Sequence, residues 1–213
     1  HMLLTHPTTE NRIAEARNRA SSYRTRHIES SLDFLLAKVR IQAMYSNQSA
    51  DGLLTFFEQQ AGKSSENSAP WLAAQYGKAL SLLQLNKIPE AGEVLNQLSK
   101  RKPDNLFFQD SLTDQEIAAQ QFNAAISRLE QRNQSMPDNP VIIMNLANVY
   151  LKANKADASI RLLDQYTRNN PESSVAWQLL AEGYEQTANQ AGFHQAQAEY
   201  LALRGEIYQA TDQ

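Results

Sequence analysis

Pro103, Pro137 and Pro171 stand 34 residues apart, and each is followed by Asp-Asn, Asp-Asn or Glu-Ser and then by an apolar segment. Proline lacks an amide N–H and disfavours helical backbone at the residue before it, so a helix that reaches one of these positions must end there. A stop that recurs at a fixed interval implies one structural unit repeated along the chain. Units of this length cannot bury their apolar faces alone and are stable only when stacked on their neighbours. Seven glycines in 213 residues fit a chain that is nearly all helix.

The interval of 34 is the period of the tetratricopeptide repeat. It implies an all-α fold, a solenoid of antiparallel helix hairpins wound into a right-handed superhelix. Setting each proline at repeat position 32 starts repeats at about Leu72, Leu106, Pro140 and Ser174. Helices that cross closely need small residues, here at positions 8 and 20. The register supplies Ala79 and Ala91, Thr113 and Ala125, Ala147 and Ser159, then Ala181. Larger apolar residues are expected at positions 11 and 24: Leu82 and Leu95, Leu129, Tyr150 and Leu163, and Tyr184. Glu116 misses this pattern, with Ile117 beside it. In the fourth repeat Phe193 and Gln197 occupy the small and apolar positions, so its second helix, from about Phe193 to Arg204, is expected to pack differently or to cap the array. Trp177, at position 4, is expected to be a buried packing residue.

Before Leu72 the pattern weakens. Leu32, Leu35, Leu36, Val39 and Ala43 form a half-buried helical stripe, and Leu53, Leu54, Phe56 and Phe57 mark a second helix, giving a degenerate hairpin over 30–60. Residues 61–69 have loop composition and are expected to be exposed and mobile. Thr8 or Thr9 can cap a charged amphipathic helix from about Glu10 to Ser22, with Ile13, Ala16 and Ala20 on its apolar side. Residues 1–2 read as a cloning remnant, 3–27 as the end of an upstream domain with a linking helix, and 28–213 as the repeat domain, with a truncated further helix from 206.

Composition excludes several functions. A net charge of −3 with mixed signs leaves no basic footprint for nucleic acid, and no apolar run approaches the roughly 20 residues that cross a bilayer. The absence of cysteine rules out disulfides and thiolate metal sites. His1, His6, His27 and His194 form no HExxH, and there is no phosphate-binding glycine loop or G-x-S-x-G elbow. Asp110 and Asp114 share a helix face, as charged helical surfaces often arrange, so no catalytic residue is assigned and no cofactor is expected within this chain.

A solenoid offers a concave wall built from the first helix of each hairpin. Positions 2, 5, 9, 12 and 13 are expected to face it, which selects Tyr76, Leu80, Phe107, Asp110, Asp114, Met144, Asn148, Leu151, Lys152 and Gln178 as candidate partner contacts. Asn148 and Lys152 are not joined by a second basic residue, so a clamp for acidic tails is not expected. The apolar members suit an extended apolar or aromatic segment. Residues of the same protein covering this face, a scaffold in cytochrome maturation or pilus assembly, and self-association are the alternatives.

The stretch Leu4-Thr5-His6-Pro7, Glu10, Arg12-Ile13 and the Ala/Arg run to Ala20 resembles the end of the peptidase domain in HExxH zinc metalloproteases that carry a tetratricopeptide array, namely the periplasmic beta-barrel assembly-enhancing protease family. Tyr76-Gly77-x-Ala79-Leu80-x-Leu82-Leu83 and Ala198 to Gly205 look like that family's array. The resemblance implies a parent zinc metalloendopeptidase of the Gram-negative periplasm, active in outer-membrane assembly and quality control. It further implies zinc in a peptidase domain outside this chain, and protein partners: the assembly machinery, outer-membrane protein substrates and the parent's own peptidase domain.

Overall fold

The computed structural model describes residues 9–21 and 29–205. They fall into two units, divided between Ser31 and Leu32. In the first unit α1 spans Thr9–Ser21, close to the expected bounds, with Arg19 paired to Glu15 at 2.9 Å along an exposed face. Thr9 is its first helical residue, while Thr8 lies outside the described residues, as do residues 1–2, most of the expected 3–27 segment beyond α1, and the helix expected from 206.

The second unit is an array of hairpins: α2 (Leu32–Tyr45) with α3 (Ala50–Lys63), α4 (Ala69–Gln84) with α5 (Ile88–Arg101), α6 (Leu106–Ala118) with α7 (Phe122–Ser135), α8 (Pro140–Lys152) with α9 (Ala156–Asn169), and α10 (Ser174–Gln186) with α11 (Gln190–Leu203). From α3 onward each helix packs on the next, α2 packs on α4 rather than closely on α3, and the first helices α2, α4, α6, α8 and α10 pack on one another in order. No strand occurs among the described residues, and the array is an all-α tetratricopeptide solenoid.

The proline spacing acts through a repeated stop, turn and start. Helices α5, α7 and α9 end at cap residues Lys102, Met136 and Asn170, each directly before a proline, with φ near −134° and well outside the helical region. Two residues after the proline comes the next N-cap. Asn105 accepts from the Phe108 amide, and Asn139 accepts from those of Val141 and Ile142. Ser173 takes the same place without a side-chain cap bond. A second beat of 34 lies inside the hairpins. Asn86, Gln120, Asn154 and Ala188 all have φ of 56–57°. In each turn the following amide (Lys87, Gln121, Lys155, Asn189) reaches back five residues to a helical carbonyl at 2.8–2.9 Å, the Schellman closure.

The crossing positions are buried as the register requires. Ala79, Ala91, Thr113, Ala125, Ala147 and Ser159 are fully enclosed, as are Leu95, Leu129 and Leu163 beneath them. Glu116 is also buried, with its carboxylate held by Arg128. The same guanidinium reaches Gln109 and the Thr113 hydroxyl. The departure from the apolar pattern is therefore a closed polar network between α6 and α7.

Three expectations change. The loop is shorter than 61–69, because α3 continues to Lys63 and Ser68 caps an α4 that begins at Ala69 with Pro70 in its first turn. Trp177 is half-buried rather than enclosed: its indole Nε1 donates to the Pro171 carbonyl at 2.8 Å. Gln109, at the same repeat position, donates to the Pro103 carbonyl at the same distance. In the fourth repeat, the fifth hairpin of the array, α11 keeps the repeat's start but turns a different face inward. Ala196 and Leu201 are buried, and Gly192 lies so close to Tyr184 that an added Cβ would sit 2.7 Å from the ring.

Candidate partner-binding face

The concave wall is formed by α2, α4, α6, α8 and α10, and packing between consecutive first helices decides which side chains remain accessible. Tyr76 is fully buried: its hydroxyl lies 3.1 Å from Ser111 Oγ and its ring meets Phe107 edge-on at 6.2 Å. Leu151 is buried beside Gly183 of α10, where an added Cβ would meet Leu151 at an ordinary 3.5 Å and press instead on Ile160 of α9 at 3.0 Å. These two residues are core, not partner contacts; Tyr76 is covered by Phe107 and Ser111 of α6, whereas Asp110 and Gln178 at the same repeat position stay accessible. Leu80, Phe107 and Met144 are half-buried; Leu80 and Phe107 border the core shared by α2–α6, and Met144 borders that of α8–α11. Asn148 is half-exposed, while Asp114, Lys152 and Gln178 are exposed. Lys152 is not free to clamp an anion, since its Nζ pairs with Glu182 at 3.0 Å.

Around Asp110 the structure brings together what the repeat register did not. Arg40, from α2, pairs with Asp110 Oδ2 at 2.5 Å, and Asn145, from α8, donates to Oδ1 at 3.0 Å. A second tie joins the same helices near their starts: Asn105 Nδ2 donates to Asp33 Oδ1 at 3.1 Å. Arg40, Leu106, Phe107, Asp110 and Val141 line an open cleft of about 260 Å³. Arg40 lies in the degenerate hairpin, outside the exact 34-residue register. Its one signal in the sequence is a charge immediately after Val39 on an otherwise apolar helical stripe.

One turn beyond Asp110, the side chain of Asp114 faces solvent and makes no hydrogen bond or ion pair among the described residues. Its carboxyl is pushed up to about 6, first because the surrounding wall strips water from it and then because Asp110 is a like charge. Arg40 offsets part of this. Solvent contact and desolvation coexist because the group sits on a concave surface. Tyr76, beneath it, is raised chiefly by burial.

This arrangement has apolar contact surface, one satisfied ion pair and one uncompensated carboxylate. It can seat a polypeptide segment. The described residues contain no group of three His, Asp or Glu side chains placed to hold a metal ion, and no described helix is long and apolar enough to cross a membrane.

The family model for the tetratricopeptide repeat matches residues 116–183. The chain is 39% identical over 132 residues to the beta-barrel assembly-enhancing protease of Escherichia coli K12, covering 61% of this chain and 26% of that protein. It is 41% identical over 113 residues to the putative beta-barrel assembly-enhancing protease of Vibrio cholerae, covering 53% and 23% respectively. The resemblance read from the sequence is thus matched in the repeat region, and the chain spans about a quarter of the length of these curated relatives. Among solved structures, a thermophilic TPR protein of Thermus thermophilus superposes with a TM-score of 0.62 at 19% identity, covering 86% of this chain and 100% of that one. The TPR-like repeats of a Podosopora anserina putative kinesin light chain give 0.64 at 19% identity with the same coverages. These two share the fold.

Proposed function

We propose that this tetratricopeptide-repeat array is the non-catalytic recognition part of a periplasmic zinc metalloprotease that serves outer-membrane beta-barrel assembly and quality control. The observation that carries this is the 39% identity of its repeat region to a protease of that name, on an array whose concave face keeps accessible contact groups. In this reading zinc and the catalytic residues belong to a peptidase domain outside the chain. The array binds the assembly machinery, outer-membrane protein substrates or both, in the envelope of a Gram-negative cell.

The test is photocrosslinking in cells from Asn148, Val175 and Gln178, which are accessible on first helices and can be replaced without opening a core. Adducts with envelope proteins from these sites, and none from exposed Glu93 or Gln97 on second helix α5, support the assignment. Equal labelling from both sets would remove it. Charge substitution at Phe107 or Met144 is a poorer probe, because both side chains border hydrophobic cores.

A further inference from the structure

We infer that the cleft between α2, α6 and α8 takes an apolar side chain of an extended partner segment, and that Asp114 takes a Lys or Arg two residues along that segment. This rests on the proposed recognition role and specifies the chemistry of its ligand.

The spacing follows from helix and strand geometry. Asp110 rims the cleft, and Asp114 is four residues further along α6, about 6 Å at 1.5 Å per residue. Alternate residues of an extended chain point the same way and stand about 6.6 Å apart. An apolar-x-basic segment running along α6 therefore places one side chain against Phe107, Val141 and Leu106 while the next on that side reaches Asp114.

Charge complementarity selects the basic residue. Asp110 is already satisfied by Arg40 and Asn145, and Lys152 by Glu182. Asp114 is the carboxylate of this group with no cation bonded to it. The charged and titratable groups acting on it are Arg40 from α2, Tyr76 from α4 and Asp110 from α6 itself, while from α8 the uncharged Asn145 bonds to Asp110. A ligand cation favours the ionised form of a carboxyl that otherwise titrates near pH 6, so affinity should rise between pH 5 and pH 7.5. An acidic segment meets Arg40 only by displacing Asp110 and meets Asp114 as a like charge.

The experiment is an NMR titration of the ¹⁵N-labelled chain with blocked pentapeptides Ser-Phe-Ser-Lys-Ser and its Gln and Glu counterparts, at pH 5 and pH 7.5. The lysine peptide is expected to shift amides within 106–114 and 141–148, to bind more tightly at the higher pH, and to lose about fivefold in affinity in Asp114→Asn, the size of a partly screened ion pair. The glutamine peptide should be indifferent to that substitution. Equal binding of all three peptides, or no effect of Asp114→Asn, overturns the basic specificity while leaving the cleft as an apolar site. Preference for the glutamate peptide overturns it in favour of an acidic ligand at Arg40. If no peptide shifts these amides while crosslinks from Gln178 persist in cells, this cleft is not the contact site and the broader recognition role survives. Concentration-dependent dimerisation that masks the same amides also overturns it, in favour of a second copy as occupant.

Discussion

Arg40, on the first helix of the array, holds Asp110 on α6 in a 2.5 Å ion pair, although a complete first helix, α4, lies between them in the packing order. Nearest-neighbour packing dominates a solenoid, and contacts that skip a repeat are the exception. The pair therefore ties the degenerate first hairpin to the regular part of the array and fixes one wall of the apolar cleft.

A double-mutant cycle with Arg40→Ala and Asp110→Ala should give a coupling energy of about 1 kcal/mol, at the upper end for exposed pairs because both side chains are partly buried. Urea unfolding of the four proteins measures it. Additivity would show that the pair is held no better than solvent holds each charge.

The hairpin turns differ in their fitness for positive φ. Asn tolerates the left-handed region, whereas Gln120 and Ala188 enter it against the clash of Cβ with the backbone. Ala188→Gly should raise stability by about 0.5–1 kcal/mol, less the entropy glycine adds to the unfolded chain, and Asn86→Ala should lower it by a similar amount. Thermal melts of both variants check the signs, and a loss of stability in Ala188→Gly is the result that contradicts this account.

Arg128 is the counter-ion of a buried carboxylate. Replacing it by Met leaves Glu116 enclosed without a cation and should cost about 3 kcal/mol. The double change Glu116→Leu with Arg128→Met restores the apolar pattern of the repeat and should recover most of that loss. If the double variant is no more stable than Arg128→Met alone, the network contributes more than charge compensation.

Asp114 predicts an inverted pH effect. Its folded-state carboxyl, near 6, lies above the ordinary value of 3.8, so the folded state binds the proton more tightly than the unfolded state does. Stability attributable to this residue is present below pH 4 and falls as pH rises through about 6. Asp114→Asn should thus stabilise the chain at pH 7.5, by no more than about 1 kcal/mol because solvent reaches the group and screens the penalty. It should also flatten the decline between pH 4 and pH 7 in a stability profile. A variant less stable than the parent at pH 7.5 would reverse the sign.

Much of the candidate face was legible from position in the repeat: Phe107, Asp110, Asp114, Asn148 and Gln178 lie on first helices and remain at least partly accessible. Tyr76 and Leu151 occupy equivalent positions but are buried, because accessibility depends on how closely the next helix approaches. For Tyr76 the covering helix is α6, whose Phe107, Phe108 and Ser111 stand more than thirty residues further along the chain. The left-handed turns were invisible for a related reason. Asn86, Gln120 and Asn154 carry carboxamides but Ala188 carries only a methyl, and the conformation is imposed by closing the helix end.

By itself the sequence determined the unit, its length, its boundaries at Pro103, Pro137 and Pro171, and the crossing residues. These depend on local rules: where an amide N–H is missing, and which side chains are small enough for two helices to meet. Only the tertiary structure decided that Glu116 is neutralised by Arg128, that α11 rotates to bury Ala196, and that Arg40 reaches Asp110 across a hairpin. Each of these depends on distances between side chains on different helices, set by the stacking of whole helices, which a periodic pattern of residue types does not encode.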